Sequence, residues 1–355
     1  MGKKMKFEGL KILDSKKVKM CKSSDYNFYF DKETGYFERW GKTREDDPLY
    51  APAPEILDIE VTTKCDGVNG KVCSFCYKSN TPNGKNMSLD TFKKIIDHFP
   101  PALGQVAFGA DSHATSNPDL FKMMEYCREK RIIPNITVAQ ISDKTADALA
   151  KLCGAVAVSK YDDKDVCYDT IKRLTDRGMD QVNAHVMISE ETFDNAMEIL
   201  EDKLTDPRLE KLNAIVLLSL KQKGRGEGFH PLSQEKFKQI VDFSLKNNIN
   251  IGFDSCSAFK FLRSVEDHPN YKNFLMSSEP CESGLFSSYI SVDGEFFPCS
   301  FSENGEFGDG LDVANCDNFL KDIWNHPKTL DFRNKLINSA TKNNLKCREC
   351  ILFKV

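Results

Sequence analysis

The chain has 355 residues, 40% of them hydrophobic and 29% charged, with a net charge of −4. That balance suits a globular protein with one barrel-sized core and an appendage, and it excludes an overall field that would recruit nucleic acid. No apolar run reaches membrane-spanning length and no export signal is legible, so thirteen cysteines point to metal or redox chemistry in a reducing cytoplasm, not to a disulfide framework.

Residues 1–22 carry eight lysines against Glu8 and Asp14. This reads as a solvated, frayed end, with a nucleic-acid- or peptide-contacting arm as the alternative. Residues 26–30 and 36–40 flank Asp31-Lys32-Glu33-Thr34-Gly35 and read as a β-hairpin. Ala51-Pro52-Ala53-Pro54 is a stiff extended linker. The chain divides here: 1–54 is an N-terminal extension, 55–275 a barrel, and 276–355 a small C-terminal domain.

Residues 56–61 form an apolar run that predicts a buried strand. Directly after it come Cys65, Cys73 and Cys76, three thiols within twelve residues. A loop that leaves a strand end with three thiols is a chelating loop. Three thiolates can hold three irons of a cubane cluster. Ordinary clusters use four cysteines, so the fourth iron is left for a ligand that is not protein. A three-thiol zinc site fits the same residues.

Strand and helix signals then alternate. Strands are predicted at 105–109, 132–139, 155–159, 181–188, 213–220 and 249–253. The helices between them are capped by Ser88, Ser142, Ser189 and Ser233, opened by Asn117-Pro118, or stopped at Gly178. Such βα units predict an α/β fold with a parallel sheet: a partial (β/α)6 TIM-like barrel, with its chemistry at the carboxyl ends of the strands. Cys127, Cys153 and Cys167 fall on apolar helix faces and read as core packing. Cys21 is assigned no role.

The last region has a different pattern. Cys281 precedes a hairpin around Asp293-Gly294, which ends in Cys299. A helix runs through Phe332, Leu336 and Ile337, and the chain closes on Cys347-Arg348-Glu349-Cys350. Cys281, Cys299, Cys347 and Cys350 can converge on one four-thiolate centre, for which zinc is again the alternative. Cys316 is left over.

The first thiol loop resembles the signature of the radical S-adenosylmethionine (radical SAM) superfamily, whose usual spacing is C-x3-C-x2-C with an aromatic before the last cysteine. Here the spacing is C-x7-C-x2-C, with Phe75 in the aromatic place. The extra residues fall among 66–70, which hold two turn dipeptides, so a bulge can absorb them. The resemblance implies a [4Fe-4S] cluster on Cys65, Cys73 and Cys76, with S-adenosylmethionine on its open iron. Phe108-Gly109-Ala110-Asp111 stands where the superfamily has a Gly-Gly-Glu segment that accepts from the ligand's ammonium; Asp111 is otherwise a turn residue. Ser159 sits where relatives supply a ribose contact. Asn183 and His185 point to one side of their strand, Asn183 as a ligand contact and His185 as a contact or a core residue. Lys221 or Arg225 would meet the ligand carboxylate or an acidic substrate, and Ser219 the adenine side. Cys256 would supply a hydrogen atom or proton and Asp254 a base, against a buried structural thiol.

The second thiol set resembles the short Twitch form of the SPASM auxiliary-cluster domain of radical SAM enzymes, through Cys281, Gly294-x4-Cys299 and Cys347-x2-Cys350. It implies one auxiliary [4Fe-4S] cluster. Together the resemblances imply reductive cleavage of S-adenosylmethionine to a 5′-deoxyadenosyl radical, hydrogen abstraction from a C–H bond, and net oxidation through the auxiliary cluster. The expected substrate is a peptide or protein side chain, although the roughly fifty residues before the barrel look short for a leader-peptide-binding domain. A nucleotide or other small molecule, and a zinc-stapled binding protein without enzymology, are the alternatives. A reductant such as flavodoxin or ferredoxin is the expected partner.

Overall fold

The computed structural model describes residues 5–340, 346 and 348–355. Its N-terminal part corrects the expectation of a frayed end. β1 (Lys11–Asp14), β2 (Val18–Lys22), β3 (Asn27–Asp31) and β4 (Phe37–Trp40) pair in order as a four-stranded antiparallel sheet. The lysines mislead because one of them is structural. Lys19 is buried, and its Nζ donates to the carbonyls of Pro101 (2.6 Å) and Leu103 (2.7 Å). Burial holds its pKa below the usual lysine value. The hairpin of β3 and β4 is as expected, closed by Gly35 at φ +76°.

The 51–54 linker is not free either. Ala51 N donates to Leu285 O (2.8 Å), and Trp324 Nε1 donates to Ala51 O (3.2 Å). The buried Arg39 guanidinium joins three regions, donating to Glu55 (2.7 Å), Glu282 (2.7 Å) and Glu279 (3.0 Å). Planar bidentate geometry makes arginine the suitable residue for such a junction.

Seven parallel strands follow among the described residues: β5 (Ile56–Glu60), β6 (Gln105–Gly109), β7 (Ile133–Val138), β8 (Ala155–Lys160), β9 (Val182–Ile188), β10 (Ala214–Ser219) and β11 (Ile251–Phe253). Between them run α1 (Leu89–His98), α2 (Leu120–Glu129), α3 (Asp143–Leu152), α4 (Lys164–Thr175), α5 (Phe193–Asp202) and α6 (Gln234–Lys246). Alternation along β9 shows the layering. Val182, Ala184, Val186 and Ile188 are buried, while Asn183, His185 and Met187 are half-buried on the inner face. Cys127, Cys153 and Cys167 are buried in the hydrophobic core, as expected, and so is Cys21.

Ser88, Ser142 and Ser233 accept from Thr91 N, Thr145 N and Lys236 N as predicted N-caps. Ser189 does not cap. Its own N–H donates to Thr192 Oγ1 (2.9 Å), closing a turn before α5 begins. Asn117 stands three residues ahead of α2 and stitches loops instead, donating from Nδ2 to Val61 O (2.8 Å) and Met87 O (3.0 Å).

After α7 (Ala258–Ser264) and α8 (Tyr271–Ser277), the C-terminal hairpin does not stand apart from the barrel. β12 (Ser287–Ile290) pairs parallel to β5, and β13 (Glu295–Phe297) and β14 (Leu311–Asp312) continue antiparallel to make one ten-stranded sheet. α9 (Pro327–Asn338) closes the domain, burying Phe332 and Leu336. No helix among the described residues is long and apolar enough to cross a membrane.

Candidate active site

The first thiol loop leaves the carboxyl end of β5, where the loops after the other parallel strands also emerge. The extra residues between Cys65 and Cys73 form a turn in which Val68 and Lys71 exchange backbone hydrogen bonds (3.0 and 2.9 Å). Gly67 makes this possible. Its φ is +77°, and a Cβ there would sit 1.8 Å from Lys71 O. Ser112 Oγ donates to Gly67 O (2.6 Å) and Gln140 Nε2 to Asn69 Oδ1 (3.1 Å). The bulge is thus tied to the loops after β6 and β7.

The three half-buried thiols share one neighbourhood. Burial pushes the Cys73 thiol up to about 12, helped by the charges of Cys76 and Cys65 and opposed by the Phe75 N–H and by Arg225. Tyr161, just past β8, has its pKa raised chiefly by burial and also by all three of these thiols, against an opposing pull from Ser159. Phe75 packs 5.9 Å from the Tyr161 ring and 6.0 Å from Phe229. Among the described residues, no three His, Cys, Asp or Glu side chains gather closely enough for a single metal ion. A cubane asks for something different, since each thiolate binds its own iron at a separate corner. Three thiols spread around one loop, with an aromatic wall beside them, fit such a cluster with one iron open.

Arg225 has a task the sequence did not suggest. Its Nε donates to Cys73 O (2.7 Å) and its Nη1 to Asn80 O (3.1 Å), while its backbone N donates to Cys76 O (3.1 Å). It clamps the thiol loop from the segment after β10. Gly224 lets the two chains meet, because a Cβ there would lie 2.5 Å from Tyr77 O.

Other expected contacts are placed differently. Asp111 is buried and behaves as the turn residue of the alternative reading. Its carboxylate accepts from the backbone N–H groups of His113 (3.1 Å), Thr115 (3.1 Å) and Ser116 (2.9 Å). Gly109 O accepts from Val61 N (2.9 Å), and Ala110 packs half-buried against the core. Asn183 is at the amino end of β9, away from the thiols, accepting from Asn213 Nδ2 (2.8 Å). His185 is on the inner face, its pKa lowered to about 4 by burial against a smaller opposing pull from Asp254.

The strand ends of β10 and β11 form one polar group. Lys221 forms a buried ion pair with Asp254, which also accepts from Ser257 Oγ. Ser219 Oγ shares a hydrogen bond with Ser257 Oγ (2.6 Å). Burial works against the Lys221 charge, but Asp254, Cys256 and Cys350 together hold its pKa up.

The C-terminal thiols are also brought together. Cys281, Cys299 and Cys350 interact electrostatically, and Cys281 Sγ donates to Ser283 Oγ (3.4 Å). Cys347 lies outside the described residues. Cys316 sits among Asp312, Asp317 and Asp322 instead.

Sequence reasoning missed Tyr161, Lys78 and Asp58. Tyr161 was findable as the residue just past a barrel strand. Lys78 forms a part-buried cluster with Glu60 (3.1 Å), Tyr289 OH (2.9 Å) and Glu303, bridging the thiol loop to the C-terminal hairpin. Asp58 is exposed on the inner face of β5, where surrounding protein atoms and Glu282 hold its carboxyl above the usual range. A cleft of about 260 Å³ lies beside this cluster, between Thr63, Lys78, Asn80, Lys223 and Glu303. None of the three loop cysteines lines it.

Residues 281–351 match the SPASM family model, an iron–sulfur cluster-binding domain. The fold is similar to that of SuiB from Streptococcus suis bound to the precursor peptide SuiA, at 15% identity and a TM-score of 0.69, covering 95% of this chain and 94% of that one. Against SuiB bound to S-adenosylmethionine the values are 16%, 0.61, 83% and 72%. No curated protein matches the sequence. The family model supports the SPASM-type part of the recognition made from the sequence, and the likeness to SuiB supports the barrel fold.

Proposed function

We propose that this chain is a radical SAM enzyme that oxidises a peptide or protein side chain. The observation that carries the reading is the placement of Cys65, Cys73 and Cys76 on one clamped loop at the carboxyl ends of a parallel barrel, followed by a C-terminal region that matches an iron–sulfur cluster-binding domain. When bound, the cluster and S-adenosylmethionine supply a 5′-deoxyadenosyl radical that takes hydrogen from a substrate C–H bond.

The chain's own residues do the rest. Arg225 and the 67–71 turn hold the thiol loop in register. Phe75, Tyr161 and Phe229 keep water from the reacting face. Asp254, oriented by Lys221 and Ser257, is the group we assign to accept a substrate proton. Cys281, Cys299 and Cys350 would help hold an auxiliary cluster, which would supply an acceptor for the remaining electron and so make the reaction a net oxidation.

The fold likeness to SuiB, whose structure carries a precursor peptide, favours a peptide over a nucleotide. Lys221 and Arg225, the cations considered for an acidic substrate, are already engaged by Asp254 and by the thiol loop. The setting is the cytoplasm, with flavodoxin or ferredoxin as reductant.

Anaerobic purification tests the reading. Brown protein with about eight irons per chain should release 5′-deoxyadenosine when reduced with S-adenosylmethionine, and Cys73→Ala should abolish release. Colourless protein that holds zinc and releases nothing would leave only a stapled binding protein. Mass spectrometry of host peptides with wild type against Cys73→Ala should then reveal the oxidised side chain.

A further inference from the structure

The inside of this barrel is lined differently from a filled one, whose layers are mostly bulky branched side chains. The pairing register sets Asp58 beside Ala107, and His185 beside Ser159 and, through Val216, in line with Gly252, all on the inner face. Ala107, His185 and Gly252 are half-buried there, and Asp58 is exposed. Leu57 and Ile59, on either side of Asp58, point the other way and are fully buried. Alanine and glycine thus leave open space in front of an inward-facing carboxylate.

The acidic groups around it have partners. Glu60 has Lys78 (3.1 Å), Asp254 has Lys221, and Asp111 has three backbone N–H groups. Among the described residues, no hydrogen bond or ion pair reaches the Asp58 carboxylate, and none reaches the His185 ring across the barrel. The nearby cations are already committed: Lys78 to Glu60 and Glu303, Lys221 to Asp254, and Arg225 to the carbonyls of Cys73 and Asn80. A ligand that fills this space strips water from Asp58. An unpaired carboxylate out of water is costly, a cation offsets that cost, and a second anion adds to it. Asp58 lies two residues, about 7 Å, below the carboxyl end of β5. A charge that meets it from the barrel mouth must sit at the tip of a long side chain.

We propose that Asp58 selects the substrate by charge, pairing with the ammonium or guanidinium of a lysine or arginine side chain that reaches into the barrel from the peptide. This rests on the reading of the chain as a peptide-oxidising enzyme and adds which kind of side chain is taken. No bond forms or breaks at Asp58. It holds the charged tip, so that the carbons nearer the peptide backbone lie higher, towards the loop of Cys65, Cys73 and Cys76. His185 faces the same side chain from β9 and, held neutral by burial, does not repel it.

The test uses the full chain, reconstituted anaerobically, in calorimetric titrations. The probes are N-acetyl-lysine methylamide, N-acetyl-arginine methylamide and the uncharged N-acetyl-norleucine methylamide. At least one cationic probe should bind about tenfold more tightly than the norleucine probe, the difference one carboxylate–cation pair makes. Asp58→Asn should erase that preference with circular dichroism unchanged, and Asp58→Glu should keep part of it. Ala107→Leu, which fills the space beside Asp58 and leaves its charge, should weaken the cationic probe by about tenfold and serves if Asp58→Asn does not fold. Equal binding of charged and uncharged probes, no saturable binding of either cationic probe, a preference that survives Asp58→Asn, or binding unmoved by Ala107→Leu overturns the proposal. So does a loss of S-adenosylmethionine affinity in Asp58→Asn with the probes unaffected, which would give Asp58 to that ligand's ammonium. Charge selection by a wild type that releases no 5′-deoxyadenosine would keep the site and sink the radical SAM reading. Release without charge selection would do the reverse.

Discussion

Replacing Arg225 by alanine separates two accounts of the same residue. The guanidinium donates to Cys73 O at 2.7 Å and to Asn80 O at 3.1 Å, and both bonds would be lost. The backbone bond from residue 225 to Cys76 O would remain. A hydrogen bond from a charged donor contributes about 1.5–3 kcal/mol. The side chain is half-buried, so water recovers part of this, leaving a net loss of about 2–4 kcal/mol. That corresponds to a roughly 30- to 700-fold shift towards the released loop. The effect is local, so the global unfolding midpoint should move little. The assay is the rate of iron transfer from anaerobic protein to a ferrous chelator. The variant should release the iron of the first site far faster than wild type, and Arg225→Lys should fall between. Release within twofold of wild type would refute the clamp. A weakened affinity for S-adenosylmethionine with unchanged iron release would return Arg225 to the carboxylate-binding role expected from sequence.

Gly67→Ala should leave the fold intact by circular dichroism but halve the iron content, because its Cβ would collide with Lys71 O. His185 has its pKa lowered to about 4 by burial, so the unfolded chain binds the extra proton first. Stability from this group is therefore complete above the unfolded value near 6.5 and is lost as pH falls towards 4, by up to about 3 kcal/mol. His185→Asn should flatten that limb in denaturant titrations between about pH 4 and 6.5. Lys221→Met removes the cation beside Cys256 and Cys350 and should lower the auxiliary midpoint potential on the order of tens of millivolts in a redox titration. Lys78→Met leaves Glu60 and Glu303 facing each other without their shared cation, and chemical denaturation should show a loss of about 3–5 kcal/mol.

Some features were legible in the chain because they are local. Period-two apolar runs, serine caps at Ser88, Ser142 and Ser233, and the Asp293-Gly294 turn depend on near neighbours, and they recovered the βα alternation and the C-terminal hairpin. The thiol spacings were equally local. Placement across the chain was not. Asp111 and its glutamate counterpart in relatives can occupy the same sequence position, but only the packed loop shows that three backbone N–H groups already occupy the carboxylate. Asn183 has the right side-chain parity and the wrong end of the strand, because parity is set by the pleat and height by the register with β8 and β10. The lysine-rich start looked solvated because composition does not reveal that Pro101 and Leu103 offer carbonyls to a buried ammonium.

By itself, the sequence determined the alternation of strands and helices from residue 56 to residue 253 and the two cysteine spacings that suggest iron–sulfur chemistry, but not the two helices between residues 258 and 277. Tertiary structure decided which cation belongs to which carboxylate, that the hairpin extends the barrel sheet, and that Arg225 clamps the first thiol loop. The physical reason is distance along the chain. Hydrogen bonds and thiol contacts act over a few ångströms, and only the packed sheet brings residues so far apart in sequence within that range.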